Sequence, residues 1–564
     1  MCNAILLQGI MACEQQSPKL SGAYPNTNVA KCIMHGMLIH SPLEHHAVTT
    51  PEASALSFKG EELCYRKLNE QSNQLAHALL ESGCKPEDRI GIFLHKGLEL
   101  GVAIYAILKA GCAFVPLDPY MPVDRLYFIL EDCGIKSIVS SDALQSVIND
   151  LPAECNLQKV FGVESELIFD QLSWKAITAL PTLNPELPTV DQHLGYIMYT
   201  SGSTGEPKGM IHTHASSNCY ADWGRHHVRL TANDRVASHA PLHFDLSIFD
   251  FFSTLRAGAT VVLVPEPVTR FPASWTSYIE SERISVVFTV PYTLITMVEQ
   301  GAMDKRDLSS LRWILFGGEP YAPRQLKELI KALPSVRLTN VYGPAEAPSC
   351  TCYDIPDPFL NEDESLPIGN MSLNSEALII DEDDNECTVG EPGELCVRSS
   401  TLTSGYWNRP DLNATAFLTK ECVGCFPTVY YRTGDQVVQK SDGLLRFLGR
   451  NDRMIKTRGH RVELDEVESA LTKISGVSEG AAYVVPDATG SVEIVAQVTA
   501  KKKFELTQGY LLDQLRSQLP AYAIPRSIEI VQTLPHSSSG KINRKLLAEQ
   551  HLTRNGIALN HEHK

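Results

Sequence analysis

The sequence predicts an α/β fold with largely parallel sheets, and two observations carry that reading. From about residue 46, short apolar strand-like runs alternate with amphipathic helical stretches long enough to cross back over a sheet. The chain of 564 residues also exceeds the 250–300 or so that one hydrophobic core accommodates, so at least two units are expected.

Tyr65–Leu80 has apolar residues three or four apart and predicts a helix. The strand candidate Ile90–Phe93 follows, then a second helix near Leu98–Ala110. Further strands are expected at Ile138–Ser140, Tyr196–Tyr199, Thr260–Val264 and Val286–Thr289. After Gly449-Arg450-Asn451-Asp452 the pattern shortens. A helix over Glu463–Ile474, strands near Ala482–Val485 and Glu493–Thr499, and a helix near Tyr510–Gln518 predict a small α+β unit on a short polar connection. Residues 1–30 read as an irregular leader, and residues beyond about Glu549 as a polar, frayed tail.

Composition narrows the function classes. Apolar residues are 43% and charged residues 20%, ordinary for a globular chain. The formal net charge of −17 repels polyanions, so nucleic acid is not an expected partner. Lys501-Lys502-Lys503 is too short a basic run to change that. The 15 cysteines are odd in number and unpatterned. The lone CxxC, Cys422 to Cys425, has no second pair at zinc spacing. A reducing cytoplasm is expected, and no run reaches the roughly 18 apolar residues of a membrane span.

The richest stretch is Tyr199–Gly209 (YTSGSTGEPKG), directly after a strand candidate. Gly202, Gly205 and Gly209 let backbone N–H groups approach an anion. Ser201, Ser203 and Thr204 add hydroxyls, Thr200 opens the loop, and Lys208 adds charge. The Walker A spacing is absent.

This loop resembles the phosphate-binding signature of the adenylate-forming superfamily, which includes firefly luciferase, acyl-CoA synthetases and adenylation domains of nonribosomal peptide synthetases. The resemblance runs over residues 45–548 through ordered motifs: Leu63–Leu68 (LCYRKL), Leu108–Pro119 (LKAGCAFVPLDP), Asn340–Glu346 (NVYGPAE), Gly390–Leu395 (GEPGEL), Tyr431–Asp435 (YRTGD), Gly449–Asp452 (GRND) and Ser538–Lys541 (SSGK). It implies α/β/α-type sheets and a small β subdomain within a core at 31–451. A mobile α+β lid at 452–548 and the tail at 549–564 follow. ATP and Mg²⁺ are the implied cofactors.

The resemblance also implies roles. Lys541 is the catalytic lysine, and Glu346 holds the metal, an oxygen ligand suited to Mg²⁺. Asp435 binds the ribose, Tyr342 and Gly318-Glu319-Pro320 wall the adenine, and Phe447 and Arg450 complete the nucleotide site. Ala345 stands where the family usually has threonine. Asp452 is the hinge about which the lid turns. In His243–Phe249 (HFDLSIF), Asp245 matches the aspartate that pairs with the α-ammonium of an amino acid, since a buried ammonium needs a partner charge. Leu246, Phe249, Phe288, Leu315, Gly317, Val341, Ser349 and Cys350 match the remaining pocket positions. That apolar lining, although Gly317 and Ser349 depart from the pattern, resembles stand-alone L-prolyl carrier-protein ligases. It implies proline, ahead of pipecolate, valine or alanine, and a separate carrier protein with a phosphopantetheine arm as acceptor. A D-alanyl carrier-protein ligase and an acyl-CoA ligase are the near alternatives; a catalytically silent adenylate-binding protein is the alternative from another class.

Overall fold

The computed structural model describes residues 38–554 apart from 203–205, 360–364, 373, 423–425, 451, 488–491, 503 and 537–541. The leader at 1–30, Ser203, Thr204, Gly205 and Lys541 therefore lie outside the described residues.

Among the described residues the strands build two large sheets and three smaller assemblies. The nine-stranded sheet has a parallel centre made by Arg337–Tyr342, Trp313–Gly317, Val286–Thr289, Arg235–Ser238, Thr260–Leu263 and Ser54–Phe58. Thr260–Leu263, Val286–Thr289 and Trp313–Gly317 are buried along their whole length, as parallel strands covered on both faces must be. The seven-stranded sheet is parallel except at one edge, where Leu194–Thr200 turns back onto Lys208–Thr213.

One helix explains how the two sheets share a core. Leu98–Lys109 buries every residue from Leu100 to Lys109, and a helix buried all round has protein on every side. Its neighbour Tyr65–Glu81 instead buries one stripe, including Tyr65, Leu68, Ser72, Leu75 and Leu79. Both join an apolar cluster that draws Ile90, Phe114 and Tyr196 from one sheet and Val261, Phe288 and Leu315 from the other. The helix His214–Val228 begins with a reciprocal cap between Thr213 and Ser216, and it too packs here.

An antiparallel β unit follows, in which Ser375–Ile380, Pro392–Ser399, Phe426–Gln439, Phe417–Cys422 and Leu445–Arg450 pair. Beyond it, Met454–Thr457 and His460–Glu463 form a hairpin. Its two turn residues, Arg458 and Gly459, both have positive φ, the backbone that tight hairpins require. The last unit packs helices Leu464–Lys473 and Gln508–Arg516 on a sheet of Val477–Pro486, Val492–Ala500 and Ser527–Val531, with a core of its own.

The expected elements appear within a few residues of their predicted ends, with one difference. The chain beyond Glu549 is not frayed at once: the helix Arg544–Arg554 carries on through it. Leu552 is buried there and Arg554 pairs with Glu529 at 2.9 Å, so the polar surface hides an anchored face.

Candidate active site

The site lies where the carboxyl ends of the central strands meet the hairpin at Met454–Glu463. A cavity of about 110 Å³ opens there. Its walls come from Thr200 and Ser201, from Phe244, Asp245 and Leu246, and from Gly317, Gly318 and Val341 at parallel strand ends. Ends of parallel strands are where open α/β sheets form their crevices.

Glu346 sits at the centre of the charge arrangement and is fully buried. Its Oε1 accepts from the Tyr406 hydroxyl at 2.6 Å, and Arg461 Nη1 lies 3.0 Å from both carboxylate oxygens. Lys208 Nζ is 3.8 Å away and rests 4.6 Å over the Tyr406 ring. Burial alone would raise this carboxyl, but the Arg461 and Lys208 charges and the Tyr406 hydroxyl hold it well below the usual range. Burial and then the neighbouring Arg461 bring Lys208 down to about 8, with Glu346 resisting.

Asp435 and Arg450 face each other across paired strands, so the sheet itself sets their contact. Asp435 accepts hydrogen bonds from Arg450 and from the Tyr342 hydroxyl. Arg450 also donates to both oxygens of Asp452, at 2.7 and 2.6 Å. Asp452 is exposed at the point where the β unit passes into the hairpin. Gly459 N–H donates to Glu319, and the Ser201 hydroxyl donates to Arg461 O at 3.1 Å, so the hairpin binds both the adenine-wall candidate and the phosphate loop.

Asp245 differs from these. It faces the cavity and has no ion-pair partner among the described residues, and burial pushes its carboxyl up to about 6 while Lys456 pulls it down. It sits at the start of a helical run whose middle, Phe249–Ser253, winds in the wide π form, a break common at functional sites.

The structure gathers Asp245, Leu246, Phe288, Gly317, Val341 and Ser349 on one cavity, together with Thr200, Ser201, Gly318, Asp435 and Arg450. It keeps others off that surface. Phe249 is fully buried with its ring edge on Phe288, Leu315 is fully buried in the core, and Cys350 packs with Tyr342. They support the wall and do not form it. Pro320 is exposed, Phe447 packs beside Val437 and Tyr342, and Gly202 is buried next to Ser201. Sequence reasoning missed Met198 and Tyr220 on the wall, and Met454, Lys456, Gly459, Arg461 and Tyr522 from the small unit. The Arg458-Gly459 turn inside an alternating run was the available signal for the hairpin.

The donor set suits Mg²⁺. That ion takes one or two carboxylates and completes its shell with phosphate and water. Glu346 would supply the carboxylate, and Thr200 Oγ1 is sealed without a hydrogen-bond partner among the described residues. Among the described residues no cluster of three or more His, Cys, Asp or Glu could cage a metal by itself. No helix among them is long and apolar enough to cross a membrane.

A charged cleft lies at parallel strand ends, and a small second unit on a short connection packs over it. Known proteins agree. Residues 43–407 match the AMP-binding enzyme family and residues 466–541 match the AMP-binding enzyme C-terminal domain. The chain belongs to the family of AMP-binding, adenylate-forming enzymes. It is 32% identical to an L-proline–[L-prolyl-carrier protein] ligase from Pseudomonas fluorescens, over 91% of this chain and 99% of that one. It is 34% identical to zwittermicin A synthase ZmaJ from Bacillus cereus, over 90% and 94%. In fold it matches the adenylation domain AlmE of Vibrio cholerae, solved with glycyl-adenosine-5′-phosphate, at a TM-score of 0.79 and 23% identity over 95% and 100%.

Removing one partner of a buried pair leaves an uncompensated charge, at a cost of about 3–5 kcal/mol. Arg461→Ala is therefore expected to loosen the docked small unit while sparing the large core. Limited proteolysis should cut the 451–453 connection at least tenfold faster than in wild type, with the main thermal transition little changed.

Proposed function

We propose that the protein converts a small apolar amino acid, L-proline foremost, into its aminoacyl-adenylate with release of pyrophosphate. It then passes the acyl group to the phosphopantetheine thiol of a separate carrier protein. The observation that carries this is Asp245: a carboxylate with no ion-pair partner, facing a small cavity whose other walls include Leu246, Phe288 and Val341. An α-ammonium supplies that partner charge, and Leu246, Phe288 and Val341 give a small side chain an apolar wall. The prolyl ligase relative supports proline and a carrier acceptor.

Adenylation brings a carboxylate onto a polyphosphate, so the site must supply cations and oriented donors. Lys208, Thr200 and Ser201 receive the phosphates, with Ser203, Thr204 and Gly205 completing the loop. Lys541 bridges the substrate carboxylate and the α-phosphate. Glu346 with Thr200 would hold Mg²⁺, which would neutralise phosphate charge there. Asp435 accepts from the ribose hydroxyls, and Tyr342 and Gly318 border the base. In the arrangement seen here Arg461 occupies the Glu346 carboxylate, so the small unit must turn away, about the Asp452 connection, for metal and phosphates to enter.

Amino-acid-dependent ATP–pyrophosphate exchange tests the first step, with proline run against pipecolate, valine, glycine and D-alanine. No exchange with any of them rejects amino-acid activation. Exchange led by another member of the panel rejects proline.

Lys541→Ala is expected to lower exchange by about 100- to 1000-fold while ATP binding, measured by equilibrium dialysis, persists. For Asp245, pairing needs the ionised carboxylate, so the amino-acid KM should climb as pH falls through about 6 and stay flat above it. Asp245→Asn should raise that KM by roughly 100-fold or more and abolish the acid limb of the profile.

A further inference from the structure

A second cavity, of about 380 Å³, adjoins the first. The two share His243, Phe244, Leu246, Val290 and Gly459, and the second reaches the surface at the exposed Arg270 and Arg458. His243 thus stands in the neck between a surface-connected channel and the cavity that Asp245 faces.

Its ring is neutral and placed to meet a ligand. His243 makes no hydrogen bond among the described residues, neither ring nitrogen is among their sealed, unpartnered polar atoms, and the residue lines both cavities. Asp118 Oδ2 faces Nε2 at 3.9 Å, and the other Asp118 oxygen is anchored by Tyr120 N–H at 3.0 Å. Lys96, Arg125, Glu266 and His460 are the other titratable groups around it. Burial first, then Arg125 and Lys96, lower the imidazole against the pull of Asp118, which leaves it neutral at pH 7.

The neighbouring candidates are occupied or sealed. Lys96 donates to the carbonyls of Ser238 and His239 at 2.8 and 2.7 Å. Asp250 has both oxygens buried away from any cavity. His460 stacks on Tyr522 at 4.0 Å between ring centres, with Nδ1 sealed and no carboxylate of the described residues within ion-pair distance.

We propose that His243 is the general base of the acyl-transfer half-reaction, oriented and balanced by Asp118. The reading rests on the transfer to a pantetheine thiol proposed above. Nδ1 of His243 takes the proton of the incoming S–H. The sulfur then forms the C–S bond at the adenylate carbonyl carbon while the C–O bond to phosphate breaks, and AMP leaves with that electron pair. The imidazolium keeps Nε2–H toward Asp118 and returns its proton to water through the channel. A thiol of pKa about 8.5 is mostly protonated at pH 7, so a positioned base contributes on the order of 100-fold.

The test is single-turnover transfer. Enzyme carrying pre-formed prolyl-adenylate is desalted and mixed with free pantetheine or with holo-carrier protein, and thioester is followed from pH 6 to 9. In His243→Gln the ratio of transfer to ATP–pyrophosphate exchange should fall about 100-fold at pH 7. Its transfer rate should then climb about tenfold per pH unit toward the thiol pKa, where the wild-type rate is flat above pH 7. Asp118→Asn should lose several-fold with the flat profile kept. Transfer in His243→Gln within threefold of wild type, or parallel pH profiles, overturns the assignment. So does equal loss of both half-reactions in His243→Gln and His243→Asn, or a larger loss in His460→Gln. Wild-type enzyme that exchanges pyrophosphate but gives no thioester with either thiol rejects the acceptor itself, and the base with it.

Discussion

A carboxylate sealed from water must be met by cations, and the molecule is assembled around meeting that need at Glu346. Each contact to it comes from a different part of the chain. Lys208 belongs to the edge strand of the seven-stranded sheet, and Glu346 itself follows the strand Arg337–Tyr342 of the nine-stranded one. Tyr406 lies between the β unit and the core, and Arg461 arrives on the hairpin of the small unit. Glu346 and the cations around it stabilise one another, because a lone buried charge costs several kcal/mol. The same constraint makes the docked arrangement conditional: a metal and phosphates at Glu346 would compete with Arg461 for the same oxygens.

Around that centre the charges are matched in pairs. Asp435 is held by Arg450 and Tyr342, and Glu319 by the Gly459 N–H. Asp245 has no ion-pair partner among the described residues and His243 has only the Asp118 carboxylate at 3.9 Å, and both line the cavities. A group left open in a cavity is free to meet a ligand. On this reading one short segment, His243–Leu246, carries both the recognition of an amine and the ionisation of a thiol.

Much of this was legible in the chain. Alternation of apolar strands with helices predicted largely parallel sheets, and the Gly/Ser/Thr/Lys loop after the strand Tyr196–Tyr199 was read as a phosphate site. Motif resemblance named Asp245, Asp435 and Arg450 as site residues, and all three line one cavity. Phe249, Leu315 and Cys350 were expected on the pocket wall and instead lie behind it. Residue type marks a side chain as apolar, but strand twist and the π turn at Phe249–Ser253 decide which apolar side chain reaches the cavity. The extended helix at Arg544–Arg554 was hidden for a like reason: one buried leucine and one ion pair to Glu529 anchor a polar segment.

By itself the sequence determined the fold class, the adenylate-forming family and the residue types of the site, because these follow from local periodicity and from motifs contiguous in the chain. The tertiary structure alone decided that Arg461 would neutralise Glu346, 115 residues away. It also decided that Lys456 and Tyr522 would enter the cavity and that Asp118 would face His243. Those pairings depend on how separate units dock. Docking is set by the summed burial of charge and surface over the whole chain, which no local stretch encodes.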